Sequence, residues 1–325
     1  MRVPLPAAIT TTSSGLFRDT EAFNDMSKLS SSATIIAKRF ALSLACVGLV
    51  ACSGLKLAYD NLPTLSYWWL DDYFDISQPQ SAFLKTGLAD LHQWHITTEL
   101  PQITPLLGEI AEQLSQPITA QQVCAWGVAT EPHVYAVTDA AAVMAAPLLT
   151  RLSPKQLAHF DAAVKDKNDE WRDDWLNAKP EKLSERRLER TVDNLERFYG
   201  DLSNEQTETI AAALARQPFN FNDGWQRRLR HQGAFRSWLV AHSRSQGTTS
   251  DSDTAAQNAP TVASLQALWR VSITWPDDYR ARLCQQIADF HDLMTPAQRT
   301  KAQAVMAGYQ SDFQALADAG AAVSQ

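Results

Sequence analysis

Apolar positions recur at helical spacing along most of the chain. Leu84, Leu88, Leu91 and His95 fall on one stripe, as do Leu157, Phe160, Val164, Trp171 and Trp175, and again Ala302, Val305, Tyr309 and Phe313. Returns every three to four residues mark helices that bury one face. Alternation with a period of two is rare, glycine is sparse, and Ala, Leu, Gln, Glu and Arg dominate, which argues against strands. The pattern predicts an all-α multi-helix bundle. It breaks at residues 243–260, SRSQGTTSDSDTAAQNAP, a polar stretch that predicts a disordered loop. Apolar spacing resumes at Leu265, so the loop belongs inside one helical domain rather than between two.

Helix starts carry a signature of their own. An aliphatic residue, then Ser or Thr, then two residues, then Gln occurs five times: Ile76-Ser77…Gln80, Ile118-Thr119…Gln122, Leu152-Ser153…Gln156, Leu202-Ser203…Gln206 and Met294-Thr295…Gln298, with Met in the aliphatic place in the last. In such a capping box the hydroxyl takes a free N–H of the first turn, and the Gln three residues on takes the N–H of the cap residue. Pro154 and Pro296 stand at the first helical position, where a missing N–H costs nothing. The intervals between boxes are irregular, so they read as five capped helices and not as a solenoid repeat.

One apolar run differs from these stripes. Lys38-Arg39 precede Phe40–Ala51, FALSLACVGLVA, which is apolar or small throughout. Twelve residues suit a signal-peptide core and are too few for a bilayer span of about 20. The run ends Leu49-Val50-Ala51-Cys52, which resembles the lipobox of bacterial lipoproteins. That resemblance implies cleavage before Cys52 and acylation of Cys52 by diacylglycerol and an N-acyl chain such as palmitate. Three chains anchor where one is marginal, at about 0.8 kcal/mol per buried CH₂. Residues 1–51 are therefore expected to be a signal peptide, and 52–325 the helical lipoprotein domain. Residues 1–25 are polar and carry three acids, unlike a signal start, and Met26-Ser27-Lys28 makes a better one. They read as a non-native or dispensable extension. Ser53 follows the cysteine where inner-membrane lipoproteins often carry Asp, which favours a periplasm-facing place in the outer membrane.

Composition sharpens this picture in two respects. The formal net charge is −7. Removing residues 1–51, with five basic and three acidic side chains, leaves 24 basic against 33 acidic, near −9. An acidic chain lacks the basic footprint that nucleic acid requires. Of four cysteines, Cys46 leaves with the signal and Cys52 is lipidated, so Cys124 and Cys284 remain in an oxidising compartment. We expect a disulfide between them, stabilising by about 4–5 kcal/mol at most in the chain-entropy model.

Candidate chemistry is sparse. Tyr67-Trp68-Trp69-Leu70-Asp71-Asp72-Tyr73-Phe74-Asp75 packs five aromatics and three acids into nine residues. It reads as an interaction patch (Tyr67, Trp68, Trp69, Asp71, Asp72, Tyr73), a membrane-surface contact, a cation site on its acids, or core aromatics beside a helix end. His92, His95 and Glu99 stand at i, i+3 and i+7, a spacing that would put ligands for zinc or iron on one helix face. The order is not that of a zinc protease, and a satisfied histidine pair is the plainer reading. Trp171 and Trp175 share a face within charged Asn168–Trp175, and Arg186, Arg187, Arg190, Arg227, Arg228 and Arg230 are expected to pair internally. No GxSxG nucleophile or glycine-rich phosphate loop occurs.

The lipobox, Tyr67–Tyr73, Gln80, Trp94-His95, Glu99-Leu100-Pro101, Thr119–Cys124, Asn168–Trp171 and Asp174-Trp175-Leu176 together resemble an uncharacterised Gram-negative lipoprotein family, domain of unknown function 6279, over most of residues 50–315. Where that family usually has Arg after its Trp-His pair, this chain has Ile96. The resemblance implies a helical lipoprotein and carries no known activity. The aliphatic-Thr-x-x-Gln start is also similar to that of the small periplasmic chaperones of the Spy and CpxP type. The reading that follows is a non-enzymatic interaction or scaffold protein of the cell envelope, needing no cofactor. Its partners are the bilayer, through Cys52, and an envelope protein. A holdase-like chaperone and a metal-dependent hydrolase are the alternatives.

Overall fold

The computed structural model describes residues 56–217, 220–243 and 255–323. The expected signal peptide, Cys52 and residues 244–254 of the expected loop lie outside the described residues. A helical turn at residues 56–60 leads into eleven helices. These are α1 (Leu62–Phe74), α2 (Gln78–Trp94), α3 (Leu100–Gln113), α4 (Ala120–Leu149), α5 (Pro154–Trp175), α6 (Pro180–Tyr199), α7 (Asn204–Arg216), α8 (Phe221–His242), α9 (Ala255–Ile273), α10 (Asp277–Asp292) and α11 (Pro296–Val323). No strand occurs among the described residues, as the apolar spacing predicts.

Two corrections concern element boundaries. Residues 255–260 are helical, not loop: α9 starts at Ala255 and runs through Pro260. Ala255, Ala256 and Gln257 are strong helix formers, and Leu265 fixes the helix by packing into a core. Between α2 and α3 lies a π-helical segment, His95–Glu99, which makes residues 78–113 one continuous rod. Its cause is Pro101, which has no N–H to give the preceding turn. The chain accommodates by widening, and Leu100 N–H bonds His95 O five residues back.

The helices enclose two main cores. Phe74, Ala142, Ala146, Leu149, Leu152, Phe160, Trp238, Leu239 and Leu265 form the first, from α1, α4, α5, α8 and α9. Ile110, Leu114, Ile118, Val123, Tyr199, Cys284, Ala288, Met294 and Ala302 form the second, from α3, α4, α6, α10 and α11. The thirty-residue α4 enters both, with its N-terminal turn in the second and its C-terminal turns in the first. A smaller core of Tyr59, Ile96, Leu100, Leu316 and Ala317 ties the segment before α1 to α11. Here Gly320 permits a close crossing, since a Cβ there would collide with the Ile96 side chain. Ile96 is 8% exposed and belongs to this core rather than to a surface chemistry.

Helices α5 and α8 run antiparallel and meet through large side chains. Phe160 packs edge-on against Phe235 at 5.7 Å, Trp171 stacks on Trp225 at 5.5 Å, and Trp175 stacks on Phe221 at 5.3 Å. Trp171 and Trp175 do share a face, and that face is this aromatic seam. The disulfide between Cys124 and Cys284 joins α4 to α10, with Cα atoms 5.4 Å apart and a sequence separation of 160.

Candidate functional site

The aromatic–acidic segment is α1, and the helix divides it. Phe74 is buried and stacks on Phe160 at 5.2 Å. Tyr73 is half-buried beside them, and burial raises its pKa above the ordinary phenol range. Tyr67 accepts a hydrogen bond from the Ser81 hydroxyl at 2.9 Å and carries the Lys85 ammonium over its ring at 4.5 Å. Asp71 Oδ1 accepts the Ile76 N–H at 2.9 Å and so closes the turn that follows the helix. Asp75 takes a left-handed conformation, φ 47°, and its carboxylate meets Lys155 at 2.8 Å. That hydrogen bond holds the Asp75 pKa below the usual carboxylate value. Asp71 and Asp75 are thus committed to separate partners, and no cation site forms on these acids among the described residues.

The opposite side of α1 faces solvent. Trp68 is 62% exposed and Trp69 36% exposed. Trp69 rests against Tyr73, ring centroids 4.9 Å apart, and so is held from one side. Asp72 is exposed, and its carboxylate makes no hydrogen bond or ion pair among the described residues; only its backbone carbonyl is engaged, by His159 Nε2 at 3.0 Å. Of the six expected patch residues, Trp68, Trp69 and Asp72 are presented, while Tyr67, Asp71 and Tyr73 support them.

The histidines tell a different story from the one their spacing suggested. Tyr59 inserts beside His92, ring centroids 4.7 Å apart, and its hydroxyl shares a hydrogen bond with His95 Nδ1. Glu99, 5% exposed, instead meets His133 Nδ1 of α4 at 3.0 Å. The expected metal site of His92, His95 and Glu99 is thus corrected. The π segment widens the turn between His95 and Glu99, and Glu99 pairs across to α4. Among the described residues no group of three or more His, Cys, Asp or Glu side chains is arranged to hold a metal ion. Burial lowers the pKa of both His92 and His95, and the buried His92 Nε2 finds no partner. A second Tyr–His pair repeats the theme in the other core. His291 Nε2 donates to Gln116 O at 2.8 Å, so its neutral ring accepts the Tyr199 hydroxyl at Nδ1, also at 2.8 Å. Burial lowers the His291 pKa and pushes that of Tyr199 up to about 12.

The five capping boxes form, and four of them join in pairs. Each Gln takes its own cap N–H on Oε1, and the four paired ones turn their amide nitrogens to a distant helix start. Gln156 Nε2 donates to Gln80 Oε1 at 2.7 Å and to Asp75 O at 3.1 Å. Gln206 Nε2 donates to Gln298 Oε1 at 2.8 Å and to Leu293 O at 2.9 Å. Gln298 Nε2 reciprocates, to Gln206 Oε1 at 3.1 Å and Asp201 O at 3.0 Å. The α1–α2 turn is thereby clasped to the α4–α5 turn, and the α6–α7 turn to the α10–α11 turn. The fifth, Gln122, donates to Gln113 Oε1 at 3.2 Å. The pairing was not read from sequence, but a signal existed. All five boxes use Gln, although Glu would cap equally well, and only Gln has a donor to spare.

Of the six arginines expected to pair internally, five meet partners, Arg186 by pairing with Asp174, whereas Arg230 is exposed with no ion pair or hydrogen bond among the described residues. Arg187 Nη1 donates to Leu214 O at 2.8 Å and Gln217 O at 2.7 Å, closing the end of α7. Arg228 Nε donates to Asn168 Oδ1 at 2.6 Å, and Arg190 and Arg227 lie over the rings of Trp175 and Trp275 at 4.3 and 4.8 Å.

Fold and site together define an all-helical, disulfide-tied protein with an exposed aromatic–acidic face on its first helix. The chain belongs to the family of unknown function DUF6279, whose model matches residues 72–280. The match is narrower than the resemblance read over 50–315: it includes Asp72 and leaves Trp68, Trp69 and α11 outside. No curated protein and no solved structure matches the chain. No helix among the described residues is long and apolar enough to cross a membrane.

Proposed function

We propose that this chain is a cell-envelope lipoprotein, anchored through Cys52 in the outer membrane and facing the periplasm, that acts without catalysis by binding another envelope protein through Trp68, Trp69 and Asp72. The observation that carries the reading is the presentation of Trp68. An indole 62% exposed on an ordered helix, next to a second one held in place by Tyr73, is a preorganised anchor of the kind that dominates protein interfaces. Two further features support the setting. The Leu49-Val50-Ala51-Cys52 sequence precedes α1 by ten residues, and the Cys124–Cys284 disulfide suits an oxidising compartment.

The test is photo-crosslinking in cells from a probe at position 68 of the full chain. One discrete adduct is the expected result. A smear of many envelope proteins would instead favour a holdase, and a folded, acylated protein that gives no adduct would overturn the reading. The anchor is tested separately: Cys52→Ala is expected to move the protein from the membrane fraction to the soluble periplasm.

A further inference from the structure

The protein contains its own example of what an aromatic residue and an aspartate one helical turn apart can hold. On α4, Tyr135 and Asp139 stand at i and i+4 and receive Arg270 from α9. The guanidinium lies 5.3 Å from the Tyr135 ring centroid, its Nε donates to Asp139 Oδ1 at 3.1 Å, and its Nη2 donates to Oδ2. The ring takes the face of the cation while the carboxylate takes its edge in a two-point bond. Helix α1 carries the same arrangement twice. Tyr67 and Asp71 form one copy, with Lys85 over the ring and the carboxylate committed to Ile76. Trp68 and Asp72 form the other, in the same chain direction and on the exposed face, with no cation on the ring and no partner on the carboxylate among the described residues.

From this juxtaposition we infer that the Trp68–Asp72 pair is a receptor for an arginine side chain of the partner protein. The inference rests on the reading of this face as a protein-binding surface and adds the chemistry of what binds. Tryptophan is a better cation–π face than the tyrosine that holds Arg270. Arginine fits where lysine does not, because its planar group can stack on the indole and still bridge both carboxylate oxygens. Trp69, fixed by Tyr73, provides an apolar wall beside the pair. A bilayer of anionic lipids is the other class of surface to which paired indoles point, and an unpaired Asp72 opposes it.

The full chain labelled with 5-fluorotryptophan tests this by ¹⁹F NMR, with the Trp68 line assigned by its loss in Trp68→Phe. The probes are N-acetyl-Arg-Gly-Arg-amide, its Lys-Gly-Lys counterpart, and phosphatidylethanolamine–phosphatidylglycerol vesicles. The Trp68 line is expected to shift saturably with the arginine peptide and about fivefold more weakly with the lysine peptide. Asp72→Asn is expected to weaken the arginine response about tenfold, and Asp72→Glu to restore most of it. Equal responses to the two peptides, indifference to Asp72, or a response to vesicles alone would overturn the inference. A discrete adduct from position 68 in cells, alongside no arginine response, would leave the protein-binding reading standing and remove the arginine.

Discussion

At the scale of single residues, adjacent aspartates on α1 do opposite things. The Asp71 carboxylate holds the Ile76 N–H, while that of Asp72 has no partner among the described residues. Asp71→Ala is therefore expected to cost about 1 kcal/mol, the usual loss for a broken local side-chain to backbone bond. Asp72→Ala should stay within about 0.5 kcal/mol, as exposed positions do. Urea unfolding of the two variants checks both, and a large loss in Asp72→Ala would make that residue structural. Four histidines, His291 buried and the other three partly so, set a second expectation. His92, His95, His231 and His291 all have folded-state pKa values pushed below the ordinary 6.5, chiefly by burial. The unfolded chain then binds more protons, so stability is full above that value and is lost as pH falls through it toward the folded values. Melting temperature measured from pH 8 to pH 5 should fall below about pH 6.5. His291→Asn should flatten that fall while lowering stability at every pH.

At the scale of elements, the helix starts were legible in the sequence because a capping box is local chemistry: hydroxyl, amide and the first-turn N–H groups lie within four residues. Their pairing was not legible, because it joins turns 76 and 92 residues apart. The clasps separate two roles of glutamine that a plain cap does not. Gln156→Glu keeps an acceptor for Ser153 N–H but places carboxylate oxygens against Gln80 Oε1 and Asp75 O, both acceptors. It should destabilise by about 2 kcal/mol, whereas Gln122→Glu, facing an amide that can turn, should cost well under 1. Equal effects at the two sites would mean that the clasp adds nothing to the cap. The π segment was missed for a related reason. Periodicity at 3.6 residues placed Glu99 with His92 and His95, and the cue that broke it, Pro101, acts on the turn before it. Likewise Trp171 and Trp175 showed their shared face but not their partners, since Trp225 and Phe221 lie across a helix pair whose register only the fold sets.

At the scale of the whole molecule, the disulfide is the longest covalent tie, closing 160 residues. In the chain-entropy model a loop of that length stabilises by about 5 kcal/mol as an upper figure. Cys124→Ser with Cys284→Ser should therefore lower the melting temperature by several degrees in calorimetry, and no change would show that the second core constrains α4 and α10 without it. The deeper constraint is α4 itself, which serves both cores with one continuous helix that runs through Pro132 and Pro147. Val123 faces the second core and Ala142, Ala146 and Leu149 the first, so the two are coupled through helical phase. Deleting one residue from the intervening stretch, where exposed Val128 and Val134 pack against little, would turn one end about 100° relative to the other. Seven residues inserted there would nearly preserve phase while moving the cores about 10 Å apart. Length changes that a surface loop absorbs without consequence are thus tolerated in this helix only in whole turns, if at all, and the spacing between its two ends is as much a part of the fold's specification as the residues that fill the cores.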